Sequence, residues 1–480
     1  MMNPPAPDLA APSPALLDQL AQMLGPRGFT RDADVMAPWL TDWRGKYHGR
    51  AAAMLSPAST AEVADIVRLC AAERVALVPQ GGNSGMVGGA TPDASGAQLL
   101  LSLRRLNRIR AIDSAAGSVL AEAGVILQNL HAAVERQGLR FPLTLGGKGS
   151  ATIGGLVSTN AGGTQVLRHG TMRALMEGVE AVLPDGSVLD ALAALKKDNR
   201  GYDLKHLLCG AEGTLGIVTA ARLRLLPAIT HRLTGWIGVA SPDCALALLR
   251  RLDADFGREL EGFELIPQSC VDAVLAHIPA TRAPLPGHRG WHILAELAVP
   301  AAERAEVLLT AVAAAVSDGL ASDMVLAKSE AEADAWWRIR DAISEAERAA
   351  GPAIQHDISV PVDAMPAFIA ANPARLDAAF PGARAVSFGH LGDGNIHHHV
   401  QPPLDADGPA WVAAHGEAVS ELVYRHVIEL GGSLSAEHGI GQMKRAMLAR
   451  LSDPARIAAL RGVKAGLDPQ GICNPGKLVP

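Results

Sequence analysis

Apolar residues along this chain recur with two periods, and the alternation between them outlines its elements. In "PALLDQLAQML" (14–24) and "STAEVADIVRLCAAE" (59–73) they return every three or four positions, and the second stretch opens on a Ser/Thr cap with a glutamate in its first turn. Both are predicted to be amphipathic helices. "ERVALVPQGG" then reads as a short strand running into a glycine loop. From about 97 to 226, short β-type runs ("QLLLSL", "SVLAEAGV", "GVEAVLPDGSVL", "GIVTAARLRLL") are separated by Gly/Asp turns. Beyond Pro227, "HRLTGWIGVA" and "GWHILAELAV" are predicted strands, and "CALALLRRLDADF" and "AAERAEVLLTAVAAAV" predicted helices, as in a sheet covered on one face. The chain is therefore expected to be α+β: a Pro/Ala-rich arm and helix (1–45), a first domain (46–226), a second (227–425) and a C-terminal helical segment (426–480).

Composition narrows the function more than the fold. With 49% hydrophobic and 19% charged residues, the 480-residue chain can build two or three packed cores. A net charge of −6 without a dense Lys/Arg run argues against nucleic acid as a partner. No apolar run approaches about 18 residues, so no transmembrane segment is expected. The first basic residue is Arg27, which leaves no basic start for a signal peptide. Cys70, Cys209, Cys244, Cys270 and Cys473 form no C-x-x-C pair, which points to a reducing, cytoplasmic setting and away from disulfide or iron–sulfur frameworks.

Two glycine-rich runs and one histidine cluster carry candidate chemistry. "PQGGNSGMVGGATPD" (79–93) follows a predicted strand and offers bare backbone N–H groups of the kind that cradle phosphates. It is neither a dinucleotide fingerprint nor a P-loop, and taken alone it also reads as a surface loop. "LGGKGSATIGGLVSTNAGGTQVLRHG" (145–170) alternates glycines with short hydrogen-bonding side chains, a surface along which a long flat polar ligand can lie. In "GHLGDGNIHHHV" (389–400), His390 and His397 flank a turn-forming stretch, so that a hairpin or a sharp bend could bring their imidazoles together. "AEHG" (436–439) then adds Glu437 and His438. Two imidazoles and a carboxylate are a common divalent-metal set, although spacing alone equally allows core or surface histidines.

The first glycine loop, "IGGLVSTNAGG", "GAEGTLGIVTAARLRL" (210–225), "GHLGDGNIH", "SAEHGIGQMKR" (435–445) and the terminal "NPGK" occur in an order that resembles the FAD-linked 2-hydroxyacid dehydrogenases of the vanillyl-alcohol-oxidase type. That group holds the D-2-hydroxyglutarate and FAD-linked D-lactate dehydrogenases and the glycolate oxidase D subunit. The resemblance runs from about residue 40 to the end. It implies a two-part FAD-binding domain, a sheet-plus-helix substrate (cap) domain and a C-terminal segment returning to the FAD domain. It places Pro79, Gln80, Gly81, Gly82, Asn83 and Ser84, then Met86, Val87, Gly88 and Gly89, around the pyrophosphate. Gly146, Gly149, Ser150, Thr152, Ile153, Gly154, Gly155, Ser158, Thr159, Asn160, Gly162 and Gly163 would line the rest of the cofactor with Glu212, Gly213, Ile217 and Asn474. The first loop holds no His or Cys, and His169 lies outside the attachment positions of relatives, so FAD is expected to be non-covalent.

The same resemblance makes His390, His397 and Glu437 ligands of Zn2+, Mn2+ or another divalent metal, and His438 the base. A metal chelated by the substrate hydroxyl and carboxylate would hold Cα and acidify the hydroxyl, while hydride leaves for flavin N5. Arg340 aligns with an arginine that receives a substrate carboxylate, Ser344 stands where relatives have threonine, and Arg340 otherwise reads as an exposed helix charge paired with Asp341 or Glu345. Gln355 replaces a lysine of the 2-hydroxyglutarate enzymes and His399 an asparagine common in them; His390 also faces substrate. For His398, a solvated or outer role is expected, since one of two adjacent strand residues faces away. The expected substrate is a D-2-hydroxy acid, D-2-hydroxyglutarate first and D-lactate or another as alternatives. Electrons would pass to an external acceptor such as an electron-transfer flavoprotein or a quinone-linked carrier, and a homodimer is left open. A metal-dependent hydrolase with a nucleotide-binding loop, and a flavin-binding subunit without turnover, are the competing readings.

Overall fold

A computed structural model describes residues 9–480; the first eight residues of the expected arm lie outside it. The described end of the arm is tied down by a bridge between Ala10 and Val75. The chain separates into two compact units. Unit 1 comprises the residues up to Gly162, Thr171–Ala228 and Glu437–Pro480, and unit 2 comprises Gly163–Gly170 and Ile229–Ala436. The boundaries expected from the sequence, near 227 and 426 with 163–170 in the first domain, differ in two places: the short segment Gly163–Gly170 belongs to unit 2, and unit 2 runs on to Ala436.

Unit 1 holds two sheets. The first contains β1 (Phe29–Thr30), β2 (Ala53–Leu55), β3 (Leu77–Gln80) and β4 (Leu99–Ser102), in the order β1-β2-β4-β3 with β2 and β3 parallel to β4. The helix Thr60–Glu73 between β2 and β3 begins on a reciprocal cap: Ser59 Oγ accepts from Glu62 N, and Glu62 Oε2 accepts from Ala58 N. Its Val63, Ile66, Val67 and Cys70 are packed in the core with Leu55, Leu77, Leu99 and Leu101. The second sheet is antiparallel: β5 (Ile109–Asp113), β6 (Ser118–Glu122), β8 (Met176–Val182), β9 (Val188–Ala191) and β10 (Ile217–Arg224) in the order β5-β6-β10-β8-β9. A small pair, β7 (Leu139–Arg140) with β11 (Leu226–Pro227), lies apart.

Unit 2 is built on a seven-stranded antiparallel sheet. Its strands are β12 (His231–Val239), β13 (Leu260–Pro267), β14 (Trp291–Val299), β15 (Asp323–Leu326), β16 (Ile354–Ser359), β17 (Arg384–His390) and β18 (Asn395–Gln401), ordered β15-β12-β14-β13-β17-β18-β16. Trp236, Leu294, Ile266 and Phe388 form one core face with residues of the helices Gln268–His277, Glu330–Asp341 and Ile343–Ala350. Ile237, Ile293 and Leu265, at alternate positions, are also fully buried, and the helices Pro242–Phe256, Met365–Ala379 and Gly408–Glu429 contact the strands too. The sheet is therefore covered on both faces, not one. Strands apolar at successive positions require this, because either bare face would expose them to water.

Candidate active site

In unit 1 the two glycine runs meet backbone to backbone. A Cβ on Gly82 would lie 1.7 Å from the Ser150 carbonyl oxygen, so only glycine permits this approach. Asn83, Asn160, Glu212 and Asn474 all adopt left-handed φ between 45° and 53°, a costly geometry for non-glycine residues that marks over-determined backbone. The first loop is clamped by the C-terminal segment. Val87 O accepts from Gln442 N at 3.0 Å, and Gln442 Nε2 donates to Gly88 O at 2.9 Å. Asn474 Nδ2 donates to Gly89 O (2.9 Å) and Glu212 O (2.7 Å), while the Glu212 carboxylate accepts from Ile440 N (2.7 Å) and Gly441 N (2.8 Å). Burial raises the Glu212 carboxyl pKa, opposed by those amides and by the charges of Lys444 and Lys477.

Not every residue expected to touch the cofactor offers its side chain. Ile153 and Ile217 are packed in hydrophobic cores, Thr159 Oγ1 is spent on Gly155 O (2.9 Å), and Asn160 Oδ1 accepts from Arg173 N (2.9 Å). Gly154 serves packing, since a Cβ there would meet Ala123 Cβ at 2.6 Å. Gly146, Gly149 and Ser150 remain exposed. Gln80 Oε1, Thr152 Oγ1 and Asn474 Oδ1 are buried without a hydrogen-bond partner among the described residues. Buried polar atoms left in this state fit a site completed by a polar ligand, which agrees with a bound dinucleotide.

In unit 2 the histidine cluster forms the β17–β18 hairpin. Gly394 turns it at φ +80°, where a Cβ would strike Val360 O at 2.1 Å. The register sets His390 opposite Asn395 and Phe388 opposite His397, and the His390 and His397 rings lie 5.5 Å apart. Pairing with β16 places Asp357 opposite His397 and Gln355 opposite His399. The segment that follows bridges Ser433 to Ser359, and Ala436 N donates to Asp357 O, so the sheet carries the chain directly to Glu437 and His438. His390, His397 and Glu437 each offer one ligand atom, all within 4.8 Å of one another; Asp357, Glu437 and His438 meet the same measure. This donor set fits a divalent metal.

Of the two roles expected for His398, solvated or outer, its full burial removes the first. Its Nδ1 bonds Ser387 Oγ (2.8 Å) and its Nε2 the Asn372 amide (3.0 Å), and burial takes its pKa well below the usual value. Arg340 is also no exposed helix charge. It is buried, with Nε on Glu264 Oε2 at 2.6 Å and Nη2 3.3 Å from His390 Nε2. His399 Nδ1 bonds the buried Glu347 carboxylate; Ser344 is exposed and Gln355 half-buried. His169 and Arg168 both reach Glu261, at 3.0 and 2.6 Å.

Three functional neighbours escaped the sequence reading: Glu264, Glu347 and Gln442. Glu264 and Glu261 lie on β13, whose "LEGFELIP" alternates too weakly to signal a strand. Burial alone would raise the Glu264 carboxyl, but Arg340 and His390 outweigh it and hold its pKa at about 2.

Residues 51–192 match the family model of the FAD binding domain, and residues 230–478 that of the C-terminal domain of FAD linked oxidases. A mitochondrial D-2-hydroxyglutarate dehydrogenase of Arabidopsis thaliana is 36% identical over 463 residues, covering 96% of this chain and 80% of the plant protein. A D-2-hydroxyglutarate dehydrogenase of Xanthomonas citri pv. viticola is 36% identical over 437 residues, 91% of each chain. The crystal structure of p-cresol methylhydroxylase with substrate bound superposes with a TM-score of 0.75 at 15% identity over 96% of both chains, which speaks for the fold alone. With both models matched in order and such relatives aligned along nearly the whole sequence, the chain belongs to the FAD-linked oxidases, in the D-2-hydroxyglutarate dehydrogenase family.

Proposed function

We propose that this FAD-dependent oxidoreductase oxidises a D-2-hydroxy acid, D-2-hydroxyglutarate before others, to the 2-keto acid, with a divalent metal at His390, His397 and Glu437. The observation that carries the proposal is the convergence of these three side chains in a chain that also has a glycine-lined dinucleotide cradle. When bound, FAD supplies the two-electron acceptor for the Cα hydride, and the metal supplies a Lewis acid for the hydroxyl and carboxylate. The chain's residues do the rest. His438 takes the hydroxyl proton, a task suited to an imidazole near neutral pH. Arg340, its Nε held by Glu264, presents its terminal N–H groups to a carboxylate, and Gln355 and His399 shape the distal end. Membership of a flavin family removes the support for the hydrolase reading. An external electron acceptor, of the flavoprotein or quinone-linked type, completes the cycle.

The test mixes purified holoenzyme anaerobically with D- and L-2-hydroxyglutarate, D-malate and D-lactate and follows the flavin band. Bleaching by D-2-hydroxyglutarate, lost on chelation and restored by zinc or manganese, is the expected result. An unbleached flavin with every acid in the metal-loaded chain would favour a flavin-binding subunit without turnover.

A further inference from the structure

Beneath the candidate metal ligands lies a carboxylate with two partners. Glu264 is fully buried on β13, where ionisation is tolerated only with compensating charge. One oxygen accepts from Arg340 Nε at 2.6 Å, and the other meets His390 Nδ1 at 2.5 Å. Arg340 Nη2 approaches His390 Nε2 at 3.3 Å. A guanidinium can only donate, so Nε2 must present its lone pair and the ring proton must sit on Nδ1, directed at Glu264. The three contacts agree on a single tautomer. A ring N–H given to a carboxylate is the hydrogen bond that orients a metal-ligating histidine, and it leaves Nε2 as the nitrogen with a lone pair, which a metal would take over from the Arg340 guanidinium.

We propose that Glu264 is the positioning residue of this site, fixing His390 with Nε2 turned to the divalent metal and holding Arg340 beside it through its second oxygen. This rests on the metal reading above. The double role is specific to a carboxylate. A glutamine has one accepting and one donating end, so whichever way its amide turns, either His390 or Arg340 faces a donor.

The test compares Glu264→Gln and His390→Ala with the wild-type holoenzyme, reading zinc affinity by chelator competition, flavin content and the thermal transition. For Glu264→Gln, zinc affinity should fall by about 10- to 100-fold with flavin content unchanged. Zinc affinity within twofold of wild type, whatever happens to the melting temperature, would make Glu264 merely structural and overturn the inference. His390→Ala separates the levels. If it retains zinc, the metal reading itself fails; if it loses zinc while Glu264→Gln keeps it, only the role of Glu264 fails. Should Glu264→Gln not fold, Glu264→Asp keeps the charge but shortens the reach. A several-fold loss of zinc affinity is then expected, and wild-type affinity would overturn the proposal.

Discussion

The cradle of unit 1 and the histidine face of unit 2 are made in opposite ways. In the cradle the backbone is the working surface: Gly82 leaves no room for a Cβ, and Asn83, Asn160, Glu212 and Asn474 hold left-handed turns. On the histidine face the working atoms are side chains, and buried carboxylates hold two of them, Glu264 under His390 and Glu347 under His399. A backbone surface is specified by what the sequence lacks at each position. A side-chain surface is specified by partners that arrive from elsewhere in the chain, so the two should fail differently when mutated.

The largest effect is expected at His438. Replacing it by alanine should lower kcat by about 10² to 10⁴ if it is the base, with zinc and FAD both retained. Stopped-flow flavin reduction across pH checks this, and a wild-type pH profile in the variant would remove His438 from the role. Next come His390→Ala and Glu437→Ala, expected to lose activity on the order of 10³-fold, as several kcal/mol of Lewis-acid stabilisation disappears. Their FAD content should stay stoichiometric. Simultaneous loss of metal and flavin would break the separation between cradle and histidine face.

Gly82→Ala probes that separation from the other side. Its Cβ would collide with a backbone oxygen, and overpacking of this kind costs about 1–3 kcal/mol. FAD affinity should fall by about 10- to 100-fold while zinc content, read by elemental analysis, is unchanged. Full flavin occupancy after dilution would show that residues 82 and 150 can part without harm to the cradle. The smallest effect is expected for Gln355→Lys, which restores a cation opposite His399. The ratio of flavin-reduction rates for D-2-hydroxyglutarate over D-lactate should rise several-fold, about 1 kcal/mol for a partly exposed pair. Unchanged ratios would mean that position 355 does not read the distal carboxylate.

Much of this molecule is decided locally and was legible as such. The helices Pro14–Leu24 and Thr60–Glu73, the strand into the first glycine loop and the hairpin that joins His390 to His397 follow from periodicity, caps and turn residues within a few positions of each other. The glycine runs announce close backbone approach because no other residue tolerates it. Other features were settled only by folding. Glu264 meets Arg340 76 residues away and His390 126 residues away, and nothing near it in sequence distinguishes it from a solvated strand carboxylate. The same holds for His398, whose partners Ser387 and Asn372 come from a neighbouring strand and a covering helix. The segment Gly163–Gly170 reads as a continuation of the cofactor run, yet Arg168 and His169 tie it to Glu261 in unit 2. The physical reason is common to all three. A sequence fixes what its backbone can do from one residue to the next, whereas the state of a buried charge depends on which opposite charges the tertiary structure brings within hydrogen-bond reach.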